Sequence, residues 1–194
     1  MTEKNLTQFI WSMFTIIMII VLAGCATKSG GKNIEGADNI PPAPVLEKPY
    51  SQIYVCDIET TPVLMKDYAD ALQTCQLTLI GSLLKSNKYE KVERTNKDII
   101  YQKSALLVKL KISDMRITSF GARFWGGPFV GSSYMNIHMT LVDAETQKVA
   151  REQDFNSTNN AWAAAYSWGA TDRYMPNDMA EIMAEYIVKA VQQN

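Results

Sequence analysis

The sequence holds a single histidine, His138, and three cysteines, Cys25, Cys56 and Cys75. One imidazole gives a nucleophilic triad only one place to form, and no Gly-x-Ser-x-Gly elbow accompanies it. His138 sits mid-strand on the polar side of an alternation, the setting of a solvent-facing residue. No His/Cys cluster has metal-ligand spacing. Asp57 and Glu59 share a strand face but read as solvated strand-end residues. An excess of charge of either sign is lacking too: 19 Lys and Arg stand against 20 Asp and Glu, interspersed, for a net charge of −1. No basic field exists to hold a nucleic acid. Glycines cluster at Gly121, Gly126, Gly127 and Gly131, but no Gly-Lys-Ser/Thr closes a phosphate loop and a strand follows them. Nothing calls for a cofactor. The expectation is a non-enzymatic binding or assembly role.

Long apolar runs are also scarce. The most extended, Phe9 to Ala23, falls short of the ~20 residues of a spanning helix and sits at the upper end of the ~7–15 of a secretory leader. It ends in Leu22-Ala23-Gly24-Cys25, and a polar stretch rich in Gly, Lys, Asn and Pro follows to Pro49. These four residues resemble the lipobox of bacterial lipoproteins. Small residues before the cut let an extended backbone enter a peptidase cleft, and the Cys thiol takes a diacylglycerol thioether. The resemblance implies cleavage after Gly24, with residues 1–24 a signal peptide and residues 25–49 the lipidated terminus and a flexible linker. As a coil, that linker would hold its ends roughly 25–30 Å apart. Acyl chains contribute about 0.8 kcal/mol per buried methylene; one chain holds marginally, two or three on Cys25 hold durably. Ala26, where an Asp would retain such a protein at the inner membrane, implies the outer membrane, at its periplasmic face, in an envelope that has one, and lipid anchoring to the cell membrane otherwise.

Residues 50–194 read as one α+β domain: a mainly antiparallel sheet of about 4–5 strands with two main helices packed on one face. Gln52–Glu59 is rich in β-branched and aromatic residues. Thr61-Pro62 fits a helix start. Tyr68, Leu72, Cys75, Leu79 and Leu83 recur at helical spacing, with Asp67 and Asp70 as a cap. Tyr89–Arg94 is a short strand. Ala105–Ile112 and Met135–Leu141 alternate, and Val149–Asn156 returns after the turn Asp143–Lys148. A last helix begins near Asp178 and Glu181 in a capping-box-like start. Its apolar stripe is Met179, Ile182, Met183, Tyr186, Ile187, Ala190 and Val191. Ala161–Ser167 fits a short helix sharing Trp162 and Tyr166 on one face, near Trp168.

Phe120, Phe124, Trp125 and Phe129 fall in the glycine-rich stretch Ser119–Ser133, read as a connection between strands. Exposed aromatics of this kind mark interaction surfaces, and a lipid- or partner-contacting role competes with capping a core. Cys56 and Cys75 are open to two readings in an oxidising compartment: a disulfide worth around 3 kcal/mol, or two buried thiols.

The run Asp143-Ala144-Glu145-Thr146-Gln147-Lys148-Val149 resembles the Asp-Ala-x-Thr-Gly-Lys-Val turn of a bacterial lipoprotein family of unknown function, with Gln147 in place of the glycine. More faintly, the layout resembles lipoprotein domains that activate cell-wall synthases or build secretion pores. These resemblances imply binding or assembly and carry no catalytic residue. The functional expectation is an envelope component anchored through Cys25, with an envelope protein partner and room for homo-oligomers. Two alternatives stand beside it: a lipid-anchored hydrolase, or a pore subunit inserting residues 116–142 as a hairpin.

Overall fold

A computed structural model describes residues 43, 45–97, 102–160, 164, 167 and 170–191. Cys25 and the apolar run lie outside these residues, as do Trp162, Tyr166 and Trp168. Among the described residues, no helix is long and apolar enough to cross a membrane.

Six strands form one sheet: β1 (Gln52–Cys56), β2 (Glu59–Thr60), β3 (Lys91–Thr95), β4 (Ala105–Arg116), β5 (Tyr134–Asp143) and β6 (Val149–Thr158). The order is β3-β1-β4-β5-β6, with β2 beside β4. β1 pairs parallel with both β3 and β4, whereas β4-β5-β6 is an antiparallel meander. The sheet is therefore mixed, and the mainly antiparallel sheet of 4–5 strands is corrected. β1 carries the reason. Its residues Ile53 to Cys56 are buried on both sides, the signature of a strand covered on two faces, where parallel pairing is at home.

The helices are α1 (Pro62–Asp67), α2 (Ala69–Lys85), α3 (Phe120–Gly126) and α4 (Ala170–Ala190). Thr61 caps α1, its hydroxyl accepting from the Leu64 amide, with Pro62 in the first position. α2 begins without a side-chain cap at Tyr68, so the proposed Asp67/Asp70 cap is not made. It buries Leu72, Cys75, Gln76, Leu79 and Leu83, one face at helical period. α4 starts at Ala170, eight residues before Asp178, and holds Pro176 in its interior. Proline lacks the amide that would bond four residues back, so the Asp172 carbonyl goes without that partner.

Alternation splits the strands between two layers. Ile53, Val55, Leu106, Val108, Leu110, Ile112, Met135, Ile137, Met139, Leu141 and Phe155 share one core with the buried faces of α2 and α4. Phe155 meets Tyr186 edge-on, ring centroids 5.5 Å apart. Thr78 on α2 donates to Asn177 on α4 at 3.0 Å. On the opposite face a smaller cluster gathers Tyr54, Cys56, Ala105, Leu107, Val142 and Ala144. Cys56 thus lies on the far side of the sheet from Cys75. The candidate bridge between them is not formed, because the pleat of β1 points Cys56 away from the layer in which α2 buries Cys75. Burial pushes the Cys75 thiol up to about 12.

Candidate interaction surface

Three features bear on function: an aromatic element, a clamp beneath it, and a polar junction at the other end of α4. The stretch expected to be a connection is helical. Ser119 caps α3, its hydroxyl accepting from the Ala122 amide at 3.3 Å. The helix stops at Gly127, whose φ of +53° suits glycine. A 3-10 turn, Gly127–Val130, completes the element. Residues 116–142 consequently form no free hairpin, since β5 is paired on both sides.

All four aromatics of this element face solvent. Trp125 is 86 % and Phe129 91 % exposed, with Phe120 and Phe124 near half. Phe124 meets Trp125 edge-on at 5.1 Å between centroids, and Phe120 lies 6.0 Å from Phe124. Single exposed apolar residues need no explanation, but a contiguous aromatic group on one short element does.

The element is firmly mounted. Arg123, between these aromatics in α3, is buried with Asp172 of α4, and neither side chain has any exposure. Its guanidinium donates from Nε to Asp172 Oδ2 at 2.9 Å and from Nη2 to Oδ1 at 3.1 Å. Nη1 donates to the Gly127 carbonyl at 3.2 Å, across the end of the helix. This two-pronged geometry fits a planar guanidinium to a carboxylate. Arg116 holds the exit by donating to the Val130 carbonyl at 2.6 Å. Ser133 ties the base, accepting from the Thr118 amide through its hydroxyl and from the Asn159 amide through its carbonyl. The aromatics are thus displayed from a rigid base.

The chain enters at the other end of α4. The Leu46 amide donates to the Ala190 carbonyl at 2.7 Å, supplying one of the carbonyls that a helix C-terminus leaves unpaired. Asp143 stands beside it. Its Oδ2 accepts from Lys48 Nζ at 2.9 Å and from the Tyr50 hydroxyl at 3.0 Å, and its Oδ1 takes the amides of Glu145 and Thr146. Burial pushes this carboxyl up, but the bonds from Lys48, the Thr146 amide and Tyr50 outweigh it and hold it at about 2. A cleft of ≈ 470 Å³ opens here between residues 45–50 and the β5–β6 turn. Gln147 occupies φ +60°, the left-handed backbone that the glycine of the resembled turn adopts freely.

His138 lies on the polar face of the sheet. Its Nδ1 is 2.6 Å from Asp154 and its Nε2 3.8 Å from Glu152. No hydroxyl or thiol among the described residues is bonded to it. Asp57 pairs with Arg94 and Glu59 with Lys111, each at the surface. No group of acids, His or Cys among the described residues is placed to hold a metal ion.

No family model matches the sequence, and no curated protein matches it. Some solved structures are similar to the chain in part. The PelC dodecamer from Paraburkholderia phytofirmans superimposes with a TM-score of 0.48 at 11 % identity, over 74 % of this chain and 90 % of that one. Protein XCC0632 from Xanthomonas campestris, of family DUF330, gives 0.47 at 10 % identity, over 79 % and 93 %.

The clamp and the helical nature of the aromatic stretch are what sequence reasoning missed. Ser119 with Arg123 and Phe124 at helical spacing was the available signal for α3. Arg123 and Asp172 are 49 residues apart, and nothing local to either announces the other.

Proposed function

We propose that this chain is a lipoprotein anchored through Cys25 and acts as a binding component of the bacterial cell envelope, with Phe120, Phe124, Trp125 and Phe129 as its contact surface. The observation that carries the reading is the exposure of these aromatics on an element whose base is a fully buried ion pair. Loose loops shed aromatics into cores; a mounted, outward aromatic group is the chemistry of a contact that desolvates on binding. The lipobox resemblance supplies the address, the outer membrane. Binding also accords with His138 standing on an open face beside Asp154, Glu152 and, across the β4–β5 pairing, Lys111.

Intact-cell photocrosslinking tests this. A photoreactive residue at position 125 should give adducts with one envelope component, while one at Thr140 on the polar sheet face should not. An equal, diffuse pattern at both positions would refute the contact surface. Intact mass of the mature protein tests the anchor: a chain beginning at Cys25 with added diacylglycerol and acyl mass is expected, and an unmodified Met1 refutes it.

A further inference from the structure

We infer that what the aromatic element contacts is a phospholipid bilayer, into whose interface Trp125 and Phe129 insert while Arg116 and Arg173 meet the headgroups. The inference rests on the anchored reading above and names the partner of that same surface.

Charge is the first argument. Between Asp114 and Asp143 the sequence has no Asp or Glu, although the chain holds 20 of them. The cations around the element are exposed: Arg116 packs against its exit, and the Arg173 guanidinium lies 5.9 Å from the Phe120 ring centroid. Asp172 is buried and spent on Arg123, and Asp114, the exposed acid that precedes the element, accepts the Tyr134 hydroxyl. Aromatic side chains with two exposed arginines beside them and no acid within the element itself complement an anionic lipid surface. A protein partner would ordinarily be met with both signs of charge on the rim.

Chemistry of the tips is the second. Trp and Phe dominate, and the two most exposed, Trp125 and Phe129, flank Gly126, Gly127 and Pro128. Such an amphipathic tip enters the headgroup layer without needing a complementary pocket.

Reach is the third. The aromatic element sits at the Asp172 end of α4 and the chain enters at Ala190, about 27 Å apart at 1.5 Å per residue. Twenty residues run from Cys25 to Val45, with a covalent reach of at most about 70 Å. The patch can therefore return to the bilayer that holds the anchor. Tethering of this kind gives millimolar effective concentration, so a patch too weak to bind lipid alone inserts once anchored.

The test uses the full lipidated protein reconstituted in vesicles of phosphatidylethanolamine and phosphatidylglycerol. An environment-sensitive fluorophore is placed at Phe129→Cys, with Thr140→Cys as the control position; Cys56 and Cys75 are buried. Insertion predicts blue-shifted emission at 129, quenching by spin-labelled lipid and shielding from aqueous iodide, with none of these at 140. Arg173→Gln should lower the inserted fraction's equilibrium about fivefold at low salt. Vesicle flotation separates the two readings. If the protein floats and position 129 stays open to iodide, insertion is refuted while the anchor stands, and a protein partner takes the surface. If the protein does not float, the anchor is refuted and tethered insertion falls with it.

Discussion

Removing the carboxylate of Asp172 should be the most damaging single polar change in this fold. Asp172→Ala deletes both bonds to the guanidinium of Arg123 and leaves a positive charge at zero exposure with the Gly127 carbonyl alone. Breaking a buried pair in this way costs about 3–5 kcal/mol, against a total stability of about 5–15 kcal/mol. For a folded region of about 145 residues the unfolding entropy is roughly 0.3 kcal/mol/K, so the Tm should fall by about 10–16 °C. Removing both charges tells a different story. Arg123→Met with Asp172→Leu eliminates the uncompensated ion, and such replacements are commonly neutral or stabilising by about 1–4 kcal/mol. Urea unfolding of wild type, both single variants and the double variant closes the cycle. The reasoning fails if Asp172→Ala costs less than about 1 kcal/mol, or if the double variant is as unstable as the worse single one.

Three further outcomes are expected. Because the folded Asp143 carboxyl lies at about 2 against an ordinary 3.8, the stability it contributes is whole above pH ~4 and lost as pH falls towards 2; Asp143→Asn should flatten that acid limb of a urea-midpoint profile, and an unchanged limb would refute the assignment. Gln147→Gly should stabilise by about 0.5 kcal/mol, since relief of left-handed strain, about 1–2 kcal/mol, exceeds the entropy glycine adds to the unfolded chain, about 0.5–1 kcal/mol; a loss on thermal unfolding would mean that the bond from Gln147 Nε2 to the Ala144 carbonyl outweighs the strain. Cys56 and Cys75 should resist alkylation in the native protein and both react on unfolding without reductant, whereas a requirement for reductant would restore the disulfide.

Legibility varied with how local the signal was. The buried face of α2 and the alternation of β4 and β5 stand in the sequence, because period is set by each element's own geometry. The apolar stripe of α4 was legible as well, but its beginning was not. Pro176 argues against helix upstream of Asp178, yet α4 runs on to Ala170, its first turns buried through Asp172 and Met175 against other elements. Glycines at 121 and 126 lower helix propensity and hid α3. Parallel pairing of β1 has no local mark beyond its continuous burial. At the surface, composition alone isolates Phe120, Phe124, Trp125 and Phe129, whose exposure the structure gives; that Arg123 beneath them is clamped to Asp172 was invisible.

The position of β1 has a consequence for how the fold assembles. β4, β5 and β6 are joined by connections that close small loops, so this meander can form early. β1 is synthesised first, yet its neighbour β4 begins about 50 residues later and β1 sits between β3 and β4. The first strand is therefore the one that must wait, an apolar segment with two open edges until β3 and β4 have been made. Substitutions in β5 or β6 should slow folding, whereas substitutions in β1 should chiefly hasten unfolding. The interval before β1 docks is when this chain has most need of a chaperone.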